Sequence, residues 1–422
     1  MTPGGGEAGG SPDGGPVPVE QHLADCLGLL RPLPPVELAV TDVLDRVLAE
    51  DVVAPAPLPG DDNSGMDGYA VRCADVAGAS ADAPVVLPVA GDVAAGGGAP
   101  APLAAGTTVR IMTGGLLPPG ADGVVPVEDT DGGTGRVQVR APAEPGRFVR
   151  RAGDDVAAGE TVLRAGTRLS PRTMSLLVAV GRERVLVRAV PRVVVMSTGD
   201  EVVQPGTPLR PGQVYDSNGV GLAAYAAELG CETTRVPAVG DDPAGLRAAV
   251  EAAVAPADVL VTSGGVSMGA FDVVKQLLRE TGTVRFRKVA MQPGGPQGFG
   301  LLDGGRVPVL CLPGNPVSSM VSFEVFVRPV LRTLLGEAEV QRPRVRATVR
   351  EGWRSPAGKR QYARVVLDRD GDGFGCTPVG GQGSHLVADL AAADALAEVP
   401  EATTGVTAGT VLDCLVLGRG RV

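Results

Sequence analysis

The chain is predicted to fold as a multidomain protein of the α/β plus β class, with one α/β domain on a parallel-rich sheet set between β-rich regions. Three observations carry the prediction. Its 422 residues exceed one ordinary core and, at roughly 150 residues per domain, suggest about three domains. Between Pro191 and Leu335, short apolar strands repeatedly end in Gly-rich turns that open into helices, the alternation of a sheet covered by helices on both faces. Before and after that stretch, β-type runs are broken every few residues by glycine and proline.

Taken in order, Met1–Pro18 has no periodic apolar pattern and reads as a disordered tail without the basic start and apolar run of a signal peptide. Val19–Leu30 reads as a helix. Pro35–Glu50 is also expected to be helical, because Leu38, Val40, Val43, Leu44, Val47 and Leu48 fall at roughly helical spacing. The stretch from Asp61 to Val71 concentrates Asp61, Asp62 and Asp67 with Asn63 and Ser64. It is a turn by its Asp67-Gly68 step and a supply of hard oxygen ligands or a general base by its composition. Strands are expected at Val85–Val89, Thr107–Met112, Gly123–Val127 and Arg136–Val139. Ser170 then caps a helix that begins with Pro171 and runs to Val180. In the central stretch the strands are Val193–Met196, Val259–Val261, Val284–Val289 and Val307–Cys311, and the helices Val220–Leu229, Pro243–Val254, Phe271–Thr281 and Val317–Leu335. Past Gly336 the alternation stops, and Arg344–Val349 and Tyr362–Leu367 open a β-rich C-terminal domain.

Composition excludes several functions. The formal charge of −10 disfavours generic nucleic-acid binding. Six scattered cysteines without a C-x-x-C pair argue against a zinc site or a disulfide framework, and two histidines, His22 and His385, leave no histidine-rich metal site. No stretch approaches the roughly 20 apolar residues of a membrane helix, so a soluble, cytoplasmic protein is expected. The only lysines are Lys275, Lys288 and Lys359.

Three central turns hold the candidate chemistry: Ser197-Thr198-Gly199-Asp200-Glu201, Ser263-Gly264-Gly265-Val266-Ser267-Met268-Gly269, and Leu312-Pro313-Gly314-Asn315-Pro316-Val317-Ser318. In a parallel sheet such turns gather at the carboxyl ends of the strands, where ligands bind, and their amides and helix N-termini favour phosphate. Asp200, Glu201, Asp241, Asp242 and Asp272 fall at strand ends or helix starts. Acids there serve as caps; beside phosphate turns they also suit Mg²⁺, which keeps several waters and few protein ligands. Lys275 and Lys288 are candidate partners for an oxyanion.

The ordered set Asn63-Ser-x-Met-Asp-Gly-Tyr-Ala70, Arg110-Ile-Met-Thr-Gly114, Ser197-Thr-Gly-Asp-Glu201, Tyr215-Asp-Ser-Asn218, Ser263-Gly-Gly-Val-Ser-Met-Gly269 and Leu312-Pro-Gly-Asn-Pro316 resembles the molybdopterin molybdenumtransferases, the molybdenum insertases of molybdenum cofactor synthesis. The likeness runs from about Glu20 to the C-terminus. It implies an elongated helical domain (19–65 and 151–190), a β-rich insertion (66–150), a molybdopterin-binding α/β domain (191–340) and a C-terminal β-barrel (341–422). It further implies a homodimer with a shared active site, Mg²⁺, and a reaction that takes adenylylated molybdopterin and molybdate, cleaves the adenylate and releases AMP. A handover of that substrate from a molybdopterin adenylyltransferase also follows.

Carried over by position, the functional residues implied are Asp67, Thr113, Asp155, Glu201, Asp241, Asp272 and Lys288, with Glu201, Asp241 and Asp272 as metal ligands. Pterin and phosphate would lie against Thr198, Gly199, Asp200, Ser263, Gly264, Gly265, Ser267, Lys275, Pro313, Gly314, Asn315, Pro316 and Ser318. The family often carries lysine where this chain has Gln292 or Gly295, which makes Arg285 and Arg287 candidates to replace that charge. Two other readings remain open at this stage: a pterin- or nucleotide-binding paralogue that performs adenylyl transfer or pyrophosphate hydrolysis, and a non-catalytic binding scaffold.

Overall fold

The computed structural model describes residues 15–266, 273–280, 283–371 and 373–418. Its chain divides into two compact units. One is formed by Glu37–Leu44 and Glu50–Leu186, and the other by the described residues up to Val36, by Asp45–Ala49 and by the chain from Val187 onward. Helix α1 (Val19–Gly28) belongs to the latter.

The first unit is built on a five-stranded sheet. Its strands are β1 (Gly68–Val71), β2 (Val85–Val93), β3 (Thr108–Ile111), β4 (Gly123–Pro126) and β5 (Arg136–Val139), in the order β4-β1-β3-β2-β5. Only the β2/β3 pair is parallel. Tyr69 and Val71 point into one core with Leu87, Val125 and Val137, while Ala70 packs on the opposite face with Ile111 and Val124, the period-two alternation of a sheet covered on both sides. Helix α2 (Pro171–Ala179) starts as its sequence dictates: Ser170 Oγ accepts from Thr173 N–H, Thr173 Oγ1 accepts from Ser170 N–H, and Pro171 fills the first position.

Pro35–Glu50 is not the expected helix. Pro35–Ala39 is a strand followed by a single 3-10 turn, Val40–Asp42. Tertiary bonds override the spacing: Val40 N–H donates to Glu183 O, and Arg184 pairs with Glu37 at 2.9 Å. Leu44, placed on the apolar stripe, is 52% exposed.

The second unit holds a six-stranded mixed sheet. In chain order its elements are β6 (Arg192–Thr198), α3 (Ser217–Glu228), β7 (Glu232–Val239), α4 (Pro243–Val254), β8 (Val259–Ser263), α5 (Val273–Glu280), β9 (Arg285–Lys288), β10 (Pro296–Leu302) and β11 (Val307–Leu312). The strand order is β7-β6-β8-β11-β10-β9. The first three pairings are parallel and the last two antiparallel, through β10, a strand not among those expected from the sequence. Both faces are buried: Val193, Val195, Val259 and Val261 pack with Leu222 of α3, and Val194, Met196 and Leu260 pack with Leu246 of α4 and Leu278 of α5. A continuous buried helix closes the first of these cores, running as α6 (Pro316–Ser322), a π-helical stretch (Phe323–Val327) and α7 (Arg328–Leu334).

Beyond it, β12 (Arg344–Val349), β13 (Arg360–Asp370), β14 (Gly373–Pro378), β15 (Ala395–Val399) and β16 (Val411–Val416) pair in the order β13-β14-β12-β16-β15, and β15 returns to β13 to close a barrel. Met291–Gln292 adds a short parallel strand to β13, so the segment leaving β9 reaches the barrel. Val17, expected within the disordered tail, is buried and bridged to Val289. All six cysteines are buried thiols. Among the described residues, no helix is long and apolar enough to cross a membrane.

Candidate functional site

The turns after β6, β8 and β11 meet at the carboxyl ends of three adjacent strands, as a parallel arrangement requires. They enclose a cavity of about 840 Å³. Of the expected pterin and phosphate residues, Thr198, Gly199, Ser263, Gly264, Gly265, Pro313, Gly314, Asn315, Pro316 and Ser318 line it, together with Glu201 and Asp241. Two glycines make the turns possible. Gly199 sits at φ +133°, where a Cβ would lie 2.5 Å from Glu201 Oε2; Gly264 sits at φ +96°, with a Cβ position 2.6 Å from Thr198 O.

Polar side chains beneath the turns tie them together. Asn218 Nδ2 donates to Ser263 Oγ at 2.8 Å and to Gly314 O at 2.7 Å, joining α3 to the second and third turns. Ser197 Oγ donates to Asp216 Oδ1 at 2.6 Å, and the same oxygen caps α3 through Gly219 N–H. Asp216 is buried, and its other oxygen pairs with Arg235 Nη1 at 3.2 Å. In the sequence the Tyr215–Asn218 motif signals these roles only through a strand ending in serine opposite an Asx cap.

The acids divide the work. Asp200 does not line the cavity; its Oδ1 accepts from the backbone N–H of Asp241 at 3.0 Å and so holds that residue's main chain beside it. Burial pushes the Asp241 carboxyl above its ordinary value, and the negative charges of Asp200 and Glu201 push it further. Among the described residues no group of three or more His, Cys, Asp or Glu side chains could hold a metal ion. Glu201 and Asp241 face the cavity as a pair, and the repulsion felt by Asp241 is the condition that a divalent cation relieves, so the two fit Mg²⁺ with water completing its shell. Asp272 and Ser267 lie outside the described residues. Lys275 is half-buried on α5 and does not line the cavity.

Lys288 opens onto a second cavity of about 440 Å³, which shares Pro296, Ser318 and His385 with the first. Lys359, Gln292 and Gly295 also line it. Arg287 does not: it is bound by Asp25 at 2.5 Å. The side chains that accompany Lys288 are therefore Lys359 and His385, which the chain brings from 71 and 97 residues away. Nothing local in the sequence connects either residue to the turns.

In the other unit, Asp67 and Thr113 meet. Thr113 N–H and Thr113 Oγ1 both donate to Asp67 Oδ1, each at 2.7 Å, and hold this exposed carboxyl below the usual range, the backbone donor contributing most. Gly68 next to it is a strand residue rather than a turn: Val125 O occupies the space a side chain would need. Asp155 is exposed, and its backbone N–H donates to Leu58 O.

Residues 17–181 match the family model "MoeA N-terminal region (domain I and II)", residues 194–333 "Probable molybdopterin binding domain", and residues 346–417 "MoeA C-terminal region (domain IV)". Molybdopterin molybdenumtransferase 2 of Mycobacterium tuberculosis (strain H37Rv) is 44% identical over 400 residues, 93% of this chain and 98% of the relative. The chain belongs to the molybdopterin molybdenumtransferase family. Molybdopterin molybdenumtransferase 1 of the same organism, a second relative in the family, is 40% identical over 407 residues, 91% of this chain and 95% of the relative. A crystal structure of a molybdopterin biosynthesis moea protein from Pyrococcus horikosii superposes with a TM-score of 0.83 at 34% identity, covering 95% of this chain and 99% of that one. The three models follow one another in the order the family's motifs predict, and the cavity of about 840 Å³ lies wholly in the part of the chain from residue 194 onward.

Proposed function

We propose that this family member is a transferase of molybdenum cofactor biosynthesis: it inserts molybdenum from molybdate into adenylylated molybdopterin and releases AMP, in a Mg²⁺-dependent reaction. The observation that carries the reading is the pair of adjoining cavities, one ringed by phosphate-type turns and paired carboxylates, the other by Lys288, Lys359 and His385. The backbone amides of the turns at Gly264, Gly265 and Gly314 would cradle the phosphate and pterin, and Ser263 and Ser318 would add hydroxyl donors. Glu201 and Asp241 would hold the divalent ion, with Asp200 anchoring the backbone of the second. Bound there, Mg²⁺ would screen the charge of the phosphate being cleaved. Lys288 and Lys359 would receive molybdate in the smaller cavity, beside the dithiolene end of the substrate. Asp67, exposed and held ionised by Thr113, is suited to accept a proton or orient water from a second subunit in the homodimer we propose. Asp155 is carried in the same role on the strength of its position in the sequence.

The test is AMP release from adenylylated molybdopterin by the purified chain with Mg²⁺, with and without molybdate, in wild type, Asp67→Ala, Glu201→Ala and Lys359→Ala. Molybdate-dependent AMP release with active cofactor formed, falling by about 100-fold or more without Asp67 or Glu201, is the expected result. AMP release without cofactor formation would replace this reading with a pyrophosphate hydrolase, and binding of the intermediate without turnover would replace it with a binding scaffold.

A further inference from the structure

The wall of the smaller cavity is a short segment, Lys288 to Gln292, that runs from the sheet edge to the barrel. It is held on successive residues by different parts of the chain. Lys288 O accepts from Val17 N–H and Ala290 N–H donates to Val17 O, each at 2.8 Å; Val289 N–H donates to Gly295 O at 2.7 Å; Ala290 O accepts from Arg360 N–H at 2.8 Å. One residue near the N-terminus thus grips both sides of Val289, the residue after the cavity's lysine.

Helix α1, which follows Val17, adds two ion pairs. Asp25 binds Arg287 at 2.5 Å, and Glu20 binds Arg360, which Glu401 also engages at 3.0 Å. These two arginines are the immediate neighbours of Lys288 and Lys359. Arg287 and Lys288 are successive residues of strand β9 and point to opposite sides, while Lys359 sits at the bend that precedes β13 and Arg360 opens that strand. The lysines face the cavity and the arginines do not. Neither lysine forms an ion pair among the described residues.

We propose that Val17, Glu20 and Asp25 form a positioning element for the oxyanion cavity: the bridge at Val17 sets the position of Lys288, and the two acids draw Arg287 and Arg360 to the outer side, leaving two ammonium groups to meet the anion. The proposal rests on the assignment of molybdate to this cavity. Its chemical sense lies in the difference between the two cations. A guanidinium fork matches phosphate or carboxylate two oxygens at a time, whereas an ammonium acts as a compact point charge. A cavity purged of arginine holds a small dianion without gripping the phosphate of the neighbouring substrate.

The test uses the full chain. Val17→Pro removes the N–H that donates to Lys288 O and keeps a similar buried volume; Asp25→Asn removes the charge that holds Arg287. Molybdate binding is measured by calorimetry, and the KM for molybdate and for adenylylated molybdopterin by AMP release, with melting temperature followed in parallel. We expect each variant to weaken molybdate binding and raise its KM by about two- to tenfold, the worth of one hydrogen bond, with kcat and the KM for adenylylated molybdopterin unchanged. Unchanged molybdate binding in both variants, or an equal rise in both KM values, overturns the positioning role. Lys359→Ala separates the two layers: molybdate binding untouched by that change overturns the cavity assignment itself, and with it this proposal.

Discussion

Thr113 donates twice to one oxygen of Asp67 across a separation of 46 residues. The backbone donor is the larger cause of the depressed carboxyl, so Thr113→Val removes only the hydroxyl's share. A carboxyl whose pKa is lowered stays charged to lower pH; losing a donor raises it. If ionised Asp67 is required, the acidic limb of the pH–rate profile moves to higher pH in Thr113→Val, while the plateau at neutral pH changes little. A limb that stays in place would remove Asp67 from the titrating step. The acid-rich loop marked Asp67 as a candidate in the sequence, and resemblance marked Thr113, but the bond between them is a product of folding. Lys359 and His385 were not legible as site residues at all, because an isolated lysine and histidine in a β-rich tail have no local pattern and acquire one only when the barrel closes beside Ser318.

The turns were the most legible elements, since glycine is placed by geometry that few other residues tolerate. Gly264 combines positive φ with a Cβ position 2.6 Å from a carbonyl oxygen of the first turn. Gly264→Ala should cost about 1–3 kcal/mol in chemical denaturation and abolish detectable pterin binding, because the turns after β6 and β8 cannot both keep their places. Wild-type binding of adenylylated molybdopterin by calorimetry in that variant would show that the turn adapts. Two other elements defeated pattern reading for identifiable reasons. Residues 35–50 satisfy a helical stripe only on paper, since Val40 N–H donates to Glu183 O and Glu37 O accepts from the Arg184 guanidinium. Strand β10 hides its period behind Gly298 and Gly300, which are small because the ring of Phe286 and the backbone at Thr283 and Val284 fill the space where side chains would stand.

At the scale of the molecule, the sheet was foreseeable from alternation and a β-rich end from its loss, the barrel only from the family resemblance, and their attachment from neither. Glu324, buried in the π-helical stretch, binds Arg328 at 2.7 Å and Arg342 at 2.6 Å, and Arg342 lies in the connection between α7 and the first barrel strand. Glu324→Gln leaves two buried guanidinium groups without their counter-charge, and we expect a loss of about 3–5 kcal/mol of stability, read as a lowered denaturant midpoint. A loss under about 1 kcal/mol would mean that nearby Glu228 takes over the neutralisation. The six buried cysteines have a practical consequence of a different kind. Burial pushes the Cys26 and Cys73 thiols up to about 12, so at neutral pH almost none of either is thiolate. A maleimide dye added to the native protein would find no ready nucleophile of its own there, and a single cysteine introduced at the rim of either cavity would become the preferred attachment point for a fluorophore.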